Sequence, residues 1–428
     1  MSRPPDATAV SQARDEVVAQ RAWLRHLRGE PDRHDATLTQ RQWACLAEQA
    51  TCHHLRGLTY RLLADGPLAD RVPGTVRERL RSYYVDTAIR NALLLRQTGE
   101  AAAALAAERI PVLLLKGLHL ARFIYPEPAL RSMADVDLMV PRDRLADAER
   151  VFLDRGWGPV PRPDIEQFCT WSNHLAKLHK DGAPVVELHW SIERPTCPFT
   201  LDLDGLWARS RPALLDGVPV RLLAPEDLLL HLALHGSYHH GFDRAALKAL
   251  VDVNTVVAKH RGELDWAGLA QRANSWGAGG FVYTTFRLAG KILGTPVLAS
   301  VLRELRHQPA DEAIVEVAER YILQPQVELP KAYLELARSR GLRERGLLVL
   351  DQVFPPRDTM ERIYGLKPGT PLVYPYYLGR LLDLLARRSR LLLRSLLRTE
   401  ALHPALDRED ARLRIESWVK SSAARAHG

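Results

Sequence analysis

The chain has 428 residues, 46% of them hydrophobic and 26% charged, a balance that excludes a disordered or collagen-like polymer and supplies apolar residues for a real core. At ~150 residues per domain the length predicts two or three packed units. The net charge of +8 sits mainly in the tail, where residues 377–428 hold 11 Lys and Arg against 6 Asp and Glu, and the absence of any run of about 18 uncharged apolar residues excludes a membrane-spanning helix.

Residues 11 to about 109 read as helices, from DEVVAQRAWLRHL through LTQRQWACLAEQA to the Ala-rich EAAAALAAER. At Ile110 the pattern changes to IPVLLL, a short continuous apolar run suited to a strand buried on both faces. Lys116 and Gly117 close it, LHLARFIY makes a short helix, and Pro126 and Pro128 enforce a loop before the second strand, ADVDLMV. PRDRLADAERVFLDRGW then offers Asp143 near a helix start and Gly156 as its stop. HLAKLHK and VVELHWSI follow as two strands of a hairpin turned by Asp181 and Gly182, so the sheet is mixed. From APEDLLLHLALHGSYHH to about residue 350 the pattern is helical again, with Pro225 and Asp227 at a helix start. The expected architecture is therefore α/β, a small mixed-sheet core over 90–220. Residues 1–89 precede it as a helical region, 221–350 form a helical domain, and 351–428 make a basic helical tail.

The most informative residues are Asp135 and Asp137, because a pleated strand sends positions i and i+2 to one face. Two carboxylates held close repel each other unless a cation lies between them, which points to a metal, and magnesium or manganese suits such oxygen ligands. Glu187 and His189 repeat the alternation in VVELHW, between core-facing Val186, Leu188 and Trp190, so a third carboxylate can join from a neighbouring strand. Three carboxylates on adjacent strands match a two-metal phosphoryl transfer. Without metal, mutual repulsion would strain such a cluster, and neutralising Asp137 would then raise the melting temperature.

KG…RSMADVDLMV followed by VELHW resembles the nucleotidyltransferases of the DNA polymerase beta superfamily, and within it a bacterial group of poorly characterised nucleotidyltransferases, over about residues 90–300. The stretch FPPRDTMERIYGL…YYLGRLL is similar to that group as well. The resemblance implies transfer of a nucleoside monophosphate from an NTP, ATP being the expected donor, to a small-molecule or peptide acceptor with release of pyrophosphate. It makes Asp135, Asp137 and Glu187 the metal-binding catalytic residues. Lys116 and Gly117 stand where the broad superfamily usually has Gly-Ser, so serine is not available to grip phosphate, and Arg131 and Ser132 are candidates to take over that contact. Similarity to the kanamycin-type enzymes implies that the helical domain helps form the acceptor pocket, with His189, His235 and His239 as acceptor-side candidates.

Each signal has a plainer reading. Glu187 can pair with Lys177 across the hairpin, Lys116 can be an edge cation that snorkels, and Gly117 can simply end a strand. The spacing of His231, His235 and His239 puts them on one helical face, which offers a metal-dependent hydrolase as the rival activity, or only capping and hydrogen bonding within the helices. A non-catalytic nucleotide-binding protein is the other rival. Glu193 lies beyond the strand pair and is expected to do little. YYLGRLLDLLARRSRLLLRSLLR is a basic amphipathic helix that either packs on its own domain or makes peripheral contact with an anionic membrane, while nucleic acid is disfavoured by the lack of interleaved aromatics. The four cysteines Cys45, Cys52, Cys169 and Cys197 lack zinc or disulfide spacing, and the first residues lack a signal-peptide core, so a cytoplasmic location is expected.

Overall fold

The computed structural model describes residues 7–159, 164–243, 245–306, 308–324, 335–336, 339, 341–367, 369–383 and 403–426. The chain divides into two compact units, one of Asp6–Ile322 with Arg414–Gly428 and the other of Met1–Pro5 with Leu323–Leu413.

The first unit opens with four helices, α1 (Ala7–Arg28), α2 (Gln40–Cys52), α3 (Arg56–Ala64) and α4 (Gly74–Ala107). Thr39 and Gln42 cap α2 reciprocally, side chain to backbone in both directions, which satisfies two otherwise unpaired amides. Trp23, Trp43 and Leu46 are buried between these helices, and the Trp23 indole N–H donates to Thr59 Oγ1 at 2.9 Å. Arg109 ends α4 in the left-handed region at φ 56°, with the Ile110 N–H returning to the Leu105 carbonyl at 2.9 Å.

Seven strands then form one mixed sheet: β1 (Leu113–Leu114), β2 (Val136–Met139), β3 (Gly158–Pro159), β4 (Leu178–His179), β5 (Val186–His189), β6 (Arg211–Leu215) and β7 (Val218–Leu222), in the order β3-β4-β5-β2-β1-β7-β6. β2 and β5 run parallel, with Val136 against Val186, Asp137 against Glu187, Leu138 against Leu188 and Met139 against His189. This register decides the site. It sends Val136, Leu138, Val186 and Leu188 into the core with Leu105, Leu114, Phe152 and Trp157, each large side chain contributing about 1.5–3 kcal/mol by burial. Asp137 and Glu187 are left side by side on the opposite face.

β1 is shorter than the apolar run IPVLLL suggests, since only Leu113 and Leu114 pair on both sides. The expected hairpin about Gly182, at φ 74°, forms but pairs only Leu178 with Val186, because residues 180–185 loop outward. A tighter hairpin, β6–β7, turns on Asp216 at φ 50° and Gly217 at φ 88°, the positive pair that a two-residue turn needs. Short helices α5 (Lys116–His119), α6 (Leu145–Leu153), α7 (Ile165–Phe168) and α8 (Leu203–Arg209) connect the strands. Gly156, at φ 79°, stops the chain after α6 as its position implies.

A helical layer follows, built from α9 (Pro225–Leu234), α10 (Ala246–Lys259), α11 (Trp266–Ser275) and α12 (Gly279–Leu293). Asp227, fully buried at the start of α9, takes Arg209 and Arg272 as counter-ions. From Arg414 the last helix returns to this unit, where Trp418 packs at a tilt against Phe281, ring centroids 4.8 Å apart, and donates to Asp311 at 3.3 Å. The second unit contributes helices Leu342–Val353, Arg357–Ile363 and Val373–Asp383, while residues 384–402, which hold most of the basic amphipathic run, lie outside the described residues. Among the described residues no helix is long and apolar enough to cross a membrane.

Candidate active site

A cleft of about 450 Å³ opens between the acidic face of β2 and β5 and the helical layer. Its sheet side carries Asp135, Asp137, Glu187 and His189, and its helical side carries His235, His239, His240 and Lys248. Asp135 stands one residue before β2 begins and is half-buried, whereas Asp137 is 7% and Glu187 8% exposed. His189, fully buried, places Nε2 3.3 Å from Asp137 Oδ1 and 3.5 Å from Glu187 Oε2. One imidazole thus bridges the two carboxylates. The Asn173 amide sits 3.4 Å from His189 Nδ1 and 3.3 Å from the Ser191 carbonyl, fixing the ring from behind.

The charges follow from this geometry. Burial pushes Asp137 up, but the hydrogen bond and charge of His189, with Lys116 nearby, outweigh it and hold the carboxyl well below its ordinary range. Glu187 is likewise raised by burial yet held down to about 2 by His189 and Lys177. Burial lowers His189, and its two acidic partners more than reverse this, so it is raised. Asp135 is raised, by burial first and then by repulsion from Asp137 and Glu187. The pairing of Glu187 with Lys177 that the sequence allows is present at 2.6 Å, on a lysine half-exposed and able to swing away. The expectation of an unpaired acidic cluster is therefore corrected, because Lys177 pairs with Glu187 and the His189 ring lies against both Asp137 and Glu187.

Asp137, Glu187 and His189 are the one group of metal-competent side chains among the described residues whose ligand atoms converge, all within 4.8 Å of one another. The histidine ladder does not converge in that way. The helical path widens into a π-turn at His235–His239, and the rings of His231, His235 and His239 stay neighbours there, packed ring against ring. His231 is fully buried with neither ring nitrogen hydrogen-bonded, burial keeps His231 and His235 far below their ordinary pKa, and the His235 and His239 rings stack in parallel at 5.2 Å. Burial disfavours the charged form of His231 and His235, and the rings pack against one another as a wall, which gives the hydrolase reading no converging ligand set among the described residues.

Lys116 begins α5 at φ 37°, a left-handed conformation costly for a lysine and found where surrounding structure holds a functional backbone. Gly117 lies beside it in the cleft, and a Cβ there would meet Met133 Cγ at 3.1 Å and Arg131 Nη1 at 3.4 Å, so the missing side chain makes room for the chain's own loop. Arg131 is at the cleft edge, but its guanidinium is engaged with Asp252, Nε at 3.2 Å and Nη2 at 2.9 Å, while Tyr125 donates to the same carboxylate at 2.8 Å. Arg131 Nη1 and Lys248 Nζ both donate to the Ser132 carbonyl, at 2.9 and 2.8 Å. Arg131 and Ser132 therefore anchor the loop that leads into the acidic strand.

Several cleft residues went unnoticed in the sequence: Asn173 and His174 before β4, Lys248 on α10, and Arg194 after β5. Lys248 carried a signal, a lone cation in the apolar run ALKALVDV, where burial pushes it down to about 7. Glu193 lies beyond the strand pair as expected, and it is 2% exposed with its Oε2 3.5 Å from His239 Nδ1.

The crystal structure of an antigenic nucleotidyltransferase-like protein from Paracoccidioides brasiliensis is similar to this chain at 18% identity, covering 50% of this chain and 93% of that one with a TM-score of 0.31. A search of the curated proteins returns no match. The model of the family described as uncharacterised nucleotidyltransferase matches residues 39–294, more than half of the chain and the whole of the sheet and cleft, and the protein belongs to that family.

Proposed function

We propose that the chain transfers a nucleoside monophosphate from a magnesium–NTP to an acceptor in this cleft, releasing pyrophosphate. The observation that carries the reading is the parallel register of β2 and β5, which puts Asp137 beside Glu187 with the His189 imidazole between them. Carboxylates backed by Asp135 and one imidazole form an oxygen-rich donor set that fits magnesium or manganese. Asp135, Asp137 and Glu187 would hold the metal, with His189 either joining them or yielding its place. Bound there, the metal would neutralise phosphate charge and favour ionisation of the attacking group.

The chain's own cations share the remaining work. Lys116, close enough to lower Asp135 and Asp137, faces the position a triphosphate must take, and Lys248 on the opposite wall is oriented by the Ser132 carbonyl. Gly117 keeps the adjoining backbone open to the cleft. Arg131 positions the loop through Asp252, which makes it a support for the nucleotide site. The helical wall of His235, His239 and His240 is assigned to the acceptor, and the reaction is placed in the cytoplasm, where NTP is abundant.

Calorimetry with each NTP, with and without magnesium or manganese, tests the reading. Nucleotide binding should require the cation, and labelled NTPs in an acceptor screen should release pyrophosphate. Cation-independent binding, or none, would sink the proposal.

A further inference from the structure

Glu193 is the unusual group of this molecule. It follows β5 by four residues, is 2% exposed, and neither carboxylate oxygen has a hydrogen-bond partner among the described residues. Removing a carboxylate from water without hydrogen bonds is costly, so an unpaired one in a folded interior calls for an explanation. Its nearest cation-capable neighbour is Nδ1 of His239 at 3.5 Å, an ion-pair separation somewhat longer than a hydrogen bond. His239 is itself 29% exposed and lines the cleft, so its ring stands between a buried carboxylate and the open space that faces Asp135 and Asp137. The stacked His235 ring, 5.2 Å away, and the edge-on His240 ring, 4.9 Å away, hold its plane. Asp243 lies 3.5 Å from His240, and Lys248 and Arg194 also line the cleft.

From this juxtaposition we infer that His239 is the general base for the acceptor, that Glu193 positions it, and that the acceptor attacks through a hydroxyl. The inference rests on the nucleotidyl-transfer reading and deepens it. A carboxylate behind one ring nitrogen stabilises the tautomer with the proton on Nδ1 and leaves Nε2 free to accept. A base is useful only to a nucleophile that still carries its proton at neutral pH, which an alcohol does and a phosphate or carboxylate acceptor does not. In the step, the acceptor O–H proton passes to Nε2 as the acceptor oxygen bonds to the α-phosphorus. The bond from that phosphorus to the bridging oxygen breaks, pyrophosphate leaves with the electron pair, and Nε2 later sheds the proton to solvent. A 3.5 Å pair before substrate arrives is in keeping with catalytic contacts that tighten only in the complex.

The test uses the full chain with magnesium and each of the four NTPs, with water as the simplest hydroxyl acceptor. His239→Ala should slow pyrophosphate release by ~100-fold or more, the usual worth of a general base, while magnesium–NTP binding in calorimetry is unchanged. Free imidazole should restore a large part of the lost rate. Glu193→Gln should slow turnover about 10-fold while the melting temperature stays level or rises, since a buried carboxylate without hydrogen bonds is replaced by a neutral amide of the same shape. A merely structural Glu193 would do the opposite, lowering the melting temperature and sparing turnover. Nitrogen NMR of the His239 ring supplies a readout independent of turnover, and the Nδ1–H tautomer is expected. An Nε2–H tautomer, or unaltered release in His239→Ala with normal nucleotide binding, overturns the pair alone. A wild type that binds no magnesium–NTP overturns the transfer reading beneath it.

Discussion

Asp137→Asn separates the metal-site reading from a purely structural one most cleanly. The substitution keeps the shape of the side chain, 7% exposed on β2, and removes the charge that His189 Nε2 faces at 3.3 Å. Because Asp137 is held well below its ordinary range, its ionised form is favoured by folding. Its contribution is present above the unfolded carboxylate pKa of about 3.9 and disappears as pH falls through the native value. Losing a charged partner in a buried hydrogen bond costs about 1.5–3 kcal/mol, and since the asparagine oxygen can still accept from Nε2–H, the lower end is expected. At about 2–4 °C per kcal/mol the metal-free variant should melt a few degrees lower at neutral pH, with the gap closing in acid. Turnover should fall by at least ~100-fold, since a correctly placed electrostatic group is commonly worth about 3 kcal/mol. A magnesium–NTP complex at ~100 times its Kd stabilises wild type by about 2.7 kcal/mol, and the variant should lose most of that increment. Differential scanning calorimetry and a coupled pyrophosphate assay read both. Full turnover with the full magnesium-linked increment would refute the reasoning.

Arg131→Ala should cost about 3–5 kcal/mol in chemical denaturation, because it strands the buried Asp252 carboxylate without its bidentate partner. Asp252→Asn in the same chain should recover part of the loss. If the single variant instead keeps its stability and loses only nucleotide affinity, Arg131 is a direct phosphate contact. Lys248→Met probes the opposite wall: burial lowers the native Lys248 to about 7, below its unfolded value of ~10.4, so the unfolded chain binds more protons between those limits. Wild-type stability should therefore gain on the variant as pH rises from ~7 toward ~10, with the variant the more stable near pH ~6, as measured by melting across that range. A difference that does not change with pH would show that Lys248 stays charged throughout.

Local chemistry made much of this protein legible in advance. The period of two in ADVDLMV and VVELHW is a property of any pleated strand, so the separation of Val136, Leu138, Val186 and Leu188 from Asp137, Glu187 and His189 follows without knowledge of the fold. The stop at Gly156 is equally local, whereas the β6–β7 turn at Asp216-Gly217 went unread. Tertiary structure alone decided everything that depends on partners distant in sequence. Nothing near Asp137 says that it pairs with Glu187 rather than with its neighbour one residue along, since a parallel register is set by core packing across fifty residues. The same holds for Arg131, whose guanidinium pairs with Asp252 on a helix 121 residues later. The histidine ladder keeps its rings adjacent but gives no converging ligand set among the described residues, since the fold packs His235 flat against His239 and buries His231 with both nitrogens unpartnered. Glu193 shows the limit most clearly: whether a carboxylate is solvated or buried behind an imidazole is a matter of which surfaces the fold brings together, and the local sequence does not encode it.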